Sequence, residues 1–526
     1  MLQPQAKCSL RKVVPAIFTT WLLAAISAVG LSAERNSSFH AALESIRAID
    51  LSRHVDQLAG DEMEGRESGS RGGRRAGDYL AQELARIGLH GGGADGGYFQ
   101  SFPPNFRNVL AWIEGSDPAL KDETVIVGAH YDHVGYGTRR NSRGPIGHIH
   151  YGADDNASGT SALLEVAEAL AMLPQAPPRS VLLIFFDAEE KGLLGSRYWV
   201  AHPTIPRERI VAVVNVDMIG RVRQERLEVL GSRSASGLRR LICEQNDLVG
   251  LRLEFPWRLK DQGDHYPFYE AGIPAITLHS GLHNDYHTPR DTADKLNPSG
   301  MSEASRLMFA IVCELATRPQ RLEVRPSAHR ETDAMRTAIE QRPPQLVNRL
   351  GIGWDEDSRS KDGVRVTQVL ANSAAAEAGL RVGDRIVAIG EDSIHSPEEL
   401  RGSVCTSPRE TAVTVRRTGE PEPLALPLQL SGEPMRLGLT WRVDDAEPGA
   451  VIVSYVVPHT PAAAAGLHSG DRVLQADGQD CATDRDFAEA VRAAGESIEL
   501  LIEREGRLQS IIVEFQPVAA ELRRAA

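Results

Sequence analysis

Five short segments of this 526-residue sequence concentrate side chains that bind cations or move protons. Gly128-Ala-His-Tyr-Asp-His-Val-Gly offers the imidazole of His130, and the carboxylate of Asp132 can accept a hydrogen bond from its other ring nitrogen and so fix the tautomer. Tyr151-Gly-Ala-Asp-Asp-Asn-Ala-Ser-Gly sets Asp154 beside Asp155 ahead of an apolar helical run, where a helix cap needs at most one of them. Phe186-Asp-Ala-Glu-Glu-Lys-Gly supplies Glu189 and Glu190, and Asn215-Val-Asp-Met-Ile-Gly supplies Asp217. His283-Asn-Asp-Tyr-His-Thr-Pro-Arg-Asp-Thr adds His283 and His287 where Pro289 and Asn284-Asp285 favour a loop, so His283 ranks below His287. Imidazoles and carboxylates without a thiolate suit Zn²⁺ or a neighbour such as Mn²⁺ or Co²⁺. The excess of carboxylates calls for more than one cation. Each segment alone is weak evidence, since an aspartate after a strand is commonly a helix cap and a Glu pair a solvated helix start. Their joint order carries the weight.

The elements that must position these residues are readable from hydrophobic runs. Thr124-Val-Ile-Val, Ser180-Val-Leu-Leu-Ile-Phe-Phe, Ile210-Val-Ala-Val-Val-Asn-Val and Pro274-Ala-Ile-Thr-Leu are too continuously apolar for one-face burial and read as central strands. Helices are expected near 70–88, 159–173, 192–202, 235–248 and 299–317. The alternation predicts an α/β domain, a sheet covered by helices on both faces. In such sheets ligands collect at the carboxyl ends of the strands, just where the first four segments lie.

The rest of the chain bounds the function. Lys+Arg 58 against Asp+Glu 71 gives a net charge of −13, which argues against nucleic acid as a partner. Lys7, Arg11 and Lys12 precede an apolar stretch from Val13 to about Leu31 and then small residues, the pattern of an export signal; an uncleaved anchor through residues 13–31 stays open. A periplasmic or secreted protein is expected. Cys243, Cys313, Cys405 and Cys481 form no Cys-x-x-Cys pair, and a Cys243–Cys313 bridge and buried free thiols both stay open. Residues 318–345 are rich in charge and proline and read as a linker with one short helix. Leu350-Gly-Ile-Gly-Trp and Leu437-Gly-Leu-Thr-Trp then open two repeats, in which Ala378-Gly-Leu-Arg-Val-Gly-Asp-Arg-Ile and Ala465-Gly-Leu-His-Ser-Gly-Asp-Arg-Val recur. The common offset is 87 residues (437 − 350 and 465 − 378), so a domain is duplicated.

Each repeat resembles a PDZ domain of exported bacterial proteases, in which a peptide carboxyl terminus adds to a sheet edge at the Leu-Gly segment, here Leu350 to Gly353 and Leu437 to Thr440. From about Leu58 to Leu315 the chain resembles the di-zinc aminopeptidases of metallopeptidase family twenty-eight, including the approach segment Met63-Glu-Gly-Arg-Glu-Ser-Gly-Ser. The resemblance implies a three-layer α/β/α zinc-exopeptidase domain with a mixed, mostly parallel sheet. It implies two Zn²⁺ ions, one held by His130, Asp155 and Asp217 and the other by Asp155, Glu190 and His287, with Asp155 bridging. It also implies Glu189 as general base, with Tyr286 donating a further hydrogen bond to the developing oxyanion. Glu189 and Glu190 are expected to diverge because neighbours at an extended strand end point opposite ways. His133, His148, His150, His265 and His279 are alternative ligands by type, but each reads first as a satisfied or substrate-lining histidine. Asp264 is either a helix cap or part of a pocket-lining segment, Gly263-Asp-His-Tyr-Pro-Phe.

The implied division is a signal over 1–33, a peptidase domain over 38–318, a linker over 319–344, PDZ domains over 345–432 and 433–516, and a tail over 517–526. The implied function is removal of amino-terminal residues from peptides, with repeats that hold peptide tails or partners; one or both repeat grooves being empty or packed against the catalytic domain stays equally open, and removing residues 345–526 is expected to leave hydrolysis of small reporters nearly intact. A PDZ scaffold on a vestigial platform and a related carboxypeptidase are the alternatives. A membrane is a partner only if the leader stays uncleaved.

Overall fold

The computed structural model describes residues 37–259, 261–341, 349–355 and 363–515. The export signal, the anchor alternative, the tail and parts of the linker and first repeat lie outside them. Among the described residues no helix is long and apolar enough to cross a membrane.

The β-rich runs of the first 300 residues build one sheet from nine strands among the described residues: β1 (His90–Gly91), β2 (Phe99–Phe102), β3 (Phe106–Ile113), β4 (Thr124–His130), β5 (Ser180–Phe186), β6 (Ile210–Val216), β7 (Arg226–Leu230), β8 (Arg252–Glu254) and β9 (Ala275–His279). Their order is β1-β3-β5-β4-β6-β9-β7-β8, with β2 beside β3. The four central strands β5, β4, β6 and β9 are parallel, flanked by antiparallel β3 and β7. Every residue of β4, β5 and β6 is buried, as unbroken apolar runs require when both faces are covered. Helices Gly159–Ala171 and Pro298–Thr317 cover one face; Leu194–Ala201 and His265–Glu270 cover the other, with Trp199 and Phe268 packed on Phe186. Register aligns His130 with Phe186, Gly128 with Asn215 and Val216 with Leu278, so all four central strands end along one edge.

Each repeat folds into its own antiparallel sheet, with Ile352–Trp354 and Leu439–Arg442 at the open edges. Both edge strands shift register at the same place, before Trp354 and before Trp441. The recurring Gly-Asp-Arg segments are explained by Asp384 and Asp471, each of which takes a two-pronged arginine, Arg417 and Arg504.

Two features differ from the sequence reading. The 318–345 segment is a packed strap where it is described. Pro326–Arg330 and Asp333–Glu340 are helical, Ala328 is in the core, and Arg325, Glu331 and Glu340 are buried. It lacks apolar periodicity because charges, not hydrophobes, bury it. The second repeat is also docked on the peptidase domain. Its last hairpin lays Glu505 O on the Leu253 amide at 2.7 Å, extending edge strand β8, and Gly506 sits so close to Leu253 that a Cβ would lie 2.4 Å from that side chain. Arg239 grips Glu503 with two hydrogen bonds of 2.9 and 3.1 Å, Arg233 pairs with Glu331, Asp444 and Glu447, and Arg472 pairs with Glu447 and Glu340. The four cysteines among the described residues are buried free thiols, so Cys243 and Cys313 are not bridged.

Candidate metal centre

The first and fourth segments arrive on strand ends. His130 closes β4, and Asp217 follows β6 with its amide bonded to Leu278 O of β9 at 3.1 Å. The second segment forms a wide turn, Ala153–Ser158, feeding helix Gly159–Ala171. Gly152 begins it with φ +56°, and a Cβ there would meet Asp155 O at 2.2 Å and the His133 ring at 2.5 Å, so only glycine fits. The buried Arg66 guanidinium holds this turn to β4 by donating to the carbonyls of Leu58, Tyr131, Tyr151 and Gly152 at 2.7 to 2.9 Å. Asp291 accepts the amides of Asp154 and Asp155, each at 3.0 Å.

Asp154 and Asp155 are both buried but work differently. Asp154 Oδ1 accepts the Gly220 amide at 2.6 Å, and its Oδ2 stands 3.1 Å from His283 Nε2. It thereby ties the loop after Asp217 to the turn. Asp155 divides its two oxygens between two clusters: Oδ1 lies 3.5 Å from His130 Nε2, and Oδ2 lies 3.1 Å from His287 Nε2. His130 Nε2 is 3.2 Å from Asp217 Oδ1, and His287 Nε2 is 3.1 Å from Glu190 Oε2. The structure therefore brings His130, Asp155 and Asp217 into one donor group and Asp155, Glu190 and His287 into another, which His133 joins.

Donors at about 2.0–2.2 Å from one tetrahedral zinc stand about 3.3 Å apart. The measured separations bracket that value. Asp155 Oδ2 and His287 Nε2 are buried, face one another, and yet make no well-aligned hydrogen bond. These atoms aim at a shared point, and the residues fit a pair of cations bridged by Asp155.

Supporting groups fix the ligands. His287 has φ +54° and its Nδ1 donates to Asn141 O at 2.7 Å, which leaves Nε2 for a cation. The Arg143 amide bonds His287 O at 2.9 Å. Tyr286 stacks on the His287 ring at 3.9 Å, under the Arg143 guanidinium. His130 Nδ1 meets the backbone carbonyl of Asp132 at 3.2 Å, while the Asp132 carboxylate stands off at 3.7 Å. The expected carboxylate contact is thus replaced by the main chain of the same residue. The carboxylate instead accepts the amides of Glu189 at 3.0 Å and Glu190 at 3.4 Å and the Ser68 hydroxyl at 2.7 Å. Glu189 and Glu190 lie in a turn beyond β5, after Ala188 at φ +60°, and not on an extended strand end, so strand alternation does not set their directions.

Charge is shared across these donors. Burial pulls the His287 imidazole down, but Asp155 and Glu190 outweigh it and raise it to about 10. Burial opposes charging of His130 as well, yet Glu189 and Asp217 hold it well above its usual value. Burial drives Glu189 well above the ordinary carboxylate range, with Glu190, Asp264 and Asp217 adding to it against His130. A cation arriving here displaces protons.

Three of the remaining histidines meet groups outside the two donor sets. His150 bonds Ser142 and His148 O, His279 accepts the Gly281 amide, and His283 joins Asp154. Asp264 opens helix His265–Glu270 without capping it through its side chain, and burial raises it to about 7. Arg66 and Ser68 lie in the approach segment, which showed a pattern in sequence but no role. Asn141 acts through its carbonyl, which no side-chain motif reveals.

The peptidase family M28 model matches residues 108–312, which hold all of these donors, and the PDZ domain model matches 365–417 and 452–504. Residues 108–312 form a peptidase family M28 domain. The two repeats are PDZ domains. The M28 domain carries the similarity to Aminopeptidase YwaD of Bacillus subtilis, 31% identical over 202 residues, covering 36% of this chain and 41% of that protein. Leupeptin-inactivating enzyme 1 of Streptomyces exfoliatus is 27% identical over 299 residues, covering 52% and 60%. The chain thus spans about half the length of these curated relatives. Among solved structures, the LapA aminopeptidase of Legionella pneumophila is 22% identical with a TM-score of 0.45, over 54% of this chain and 76% of that one.

Proposed function

We propose that the protein is an exported, zinc-dependent aminopeptidase that hydrolyses the amino-terminal bond of peptides, with PDZ domains that bind peptide tails or partners. The observation that carries the reading is Asp155, whose two oxygens face two separate donor groups with Glu189 one residue from the ligand Glu190. The names of the relatives support the amino-terminal direction. Bound zinc lowers the pKa of water and polarises a carbonyl. The chain's own residues do the rest. Glu189, with its carboxyl held high, takes the proton of the attacking water and returns it to the leaving amine. Asp132 fixes the backbone of Glu189 and Glu190, and Asn141 fixes His287. Tyr286, beside His287, is the proposed further donor to the oxygen that gains charge. The PDZ edges at Ile352–Trp354 and Leu439–Arg442 are the proposed sites of strand addition. The basic, then apolar leader is the basis for the exported location.

The test is hydrolysis of amino-blocked and unblocked peptides, with and without chelator and with Glu189→Gln. Chelator-sensitive cleavage of unblocked peptides alone is expected. Cleavage from the carboxyl end would favour the carboxypeptidase alternative, and no cleavage by zinc-loaded protein would favour a PDZ scaffold.

A further inference from the structure

The two donor groups are unequal. We propose that His133 is a direct sixth ligand, which closes the Asp155–Glu190–His287 cation site with four protein donors and leaves the His130–Asp155–Asp217 site with three. This assignment rests on the two-cation reading above.

His133 lies three residues beyond His130, where the chain leaves β4 and its amide donates to Arg66 O at 3.2 Å. The imidazole is buried, wedged against Gly152 and set edge-on to His287 with ring centres 5.5 Å apart. Its Nδ1 is 3.0 Å from Glu190 Oε1 and 3.5 Å from Asp155 Oδ2. Those are the two carboxylates that His287 Nε2 faces at 3.1 Å each. A histidine that merely steadied Glu190 would need one acceptor. His133 Nδ1 instead takes a fourth corner, with spacings on either side of the roughly 3.3 Å edge of a tetrahedral zinc site. Gly152 does double duty: without it neither Asp155 O nor the His133 ring could occupy its place.

The chemistry of coordination gives the consequence. Sites with four protein donors are closed and hold zinc firmly, whereas three donors leave a position for water or substrate. The His133 site is therefore expected to fill first and exchange slowly, and the three-donor site to fill second and exchange readily. His133 also explains why two imidazoles gather on one side of Asp155 and one on the other.

The experiment is titration of metal-free protein with Co²⁺, following visible absorption, and with Zn²⁺ against a chromogenic chelator, for wild type, His133→Ala and His133→Asn. Asparagine keeps a donor for Glu190 Oε1 but removes the imidazole ligand. Wild type is expected to bind two equivalents, the first tighter and with the intense absorption of a four-coordinate site. Both variants should lose that first band and weaken one of the two sites by more than the roughly 10–100-fold that loss of an outer partner costs. Wild-type affinity and absorption in a folded His133→Asn protein would overturn the sixth ligand while leaving two cations intact. Wild type that binds no metal would overturn both readings.

Discussion

Glu189 is the residue whose chemistry can be separated from its structure. Glu189→Gln keeps size and leaves the donors of both groups in place, so metal content should be unchanged while turnover falls by about 10²–10⁴-fold. A loss of metal would show instead that Glu189 helps hold it. Because burial first, then Glu190, Asp264 and Asp217, raise this carboxyl, and a base works only when deprotonated, the rate should climb with pH on its acid limb above the ordinary carboxylate range. The rate–pH profile checks the direction. The aspartate pair gives a second contrast. Asp155→Ala removes an oxygen from both cation sites and should abolish tight metal binding. Asp154→Asn loosens the tie to Gly220 and His283 and should weaken binding by about 10–100-fold, read by chelator competition. At this scale the sequence was informative about which side chains converge, since five motifs in order carry the donors that the fold brings together. It placed His133 among satisfied or substrate-lining histidines, because an imidazole three residues past another shows its destination only when the chain folds back over Gly152.

At the scale of elements, the central strands were legible because burial on both faces demands unbroken apolar runs, and β4, β5 and β6 comply. Helix Gly159–Ala171 and helix Pro298–Thr317 announced themselves by apolar spacing and flanking breakers. Turns were less legible. The turn that holds Glu189 and Glu190 follows Ala188 at φ +60°, a position glycine would usually mark. The turn that carries Asp154 and Asp155 depends on Gly152, and here the prediction is direct: Gly152→Ala forces a Cβ onto Asp155 O and the His133 ring, so it should destabilise the fold by more than about 1 kcal/mol in a melting experiment and also depress metal affinity. Unchanged affinity with lowered stability would separate the turn from the metal centre.

At the scale of the whole molecule, the sequence marks off two repeats and leaves open whether they pack on the first domain, and the second does. Charge-rich stretches look solvated in a one-dimensional reading, whereas Arg233, Arg239, Arg472, Glu331, Glu340, Glu447 and Glu503 are buried against one another between the strap, the M28 domain and the second PDZ domain. Removing residues 433–526 should therefore strip Arg239 of Glu503 and Arg233 of Asp444 and Glu447 and expose β8, lowering solubility and melting temperature. A soluble truncation as stable as the full chain would contradict the docked arrangement. Glu447→Ala, which takes one of the two carboxylates from buried Arg472 and leaves it Glu340, should cost about 1.5–3 kcal/mol. Burial pushes the Glu447 carboxyl up, but Arg472, Arg239 and Arg233 overcome it and hold it at about 2. A depressed carboxylate adds stability above its unfolded value near 4.5 that is lost as pH falls through the folded one, so docking should fail between about pH 4.5 and 2, as limited proteolysis would report. The two cations remain the centre of the account. Metal-free protein should be titrated with Zn²⁺ while release of the first residue from an unblocked peptide is followed. Activity should be absent without metal and complete at two equivalents; full activity in demonstrably metal-free protein would contradict the account.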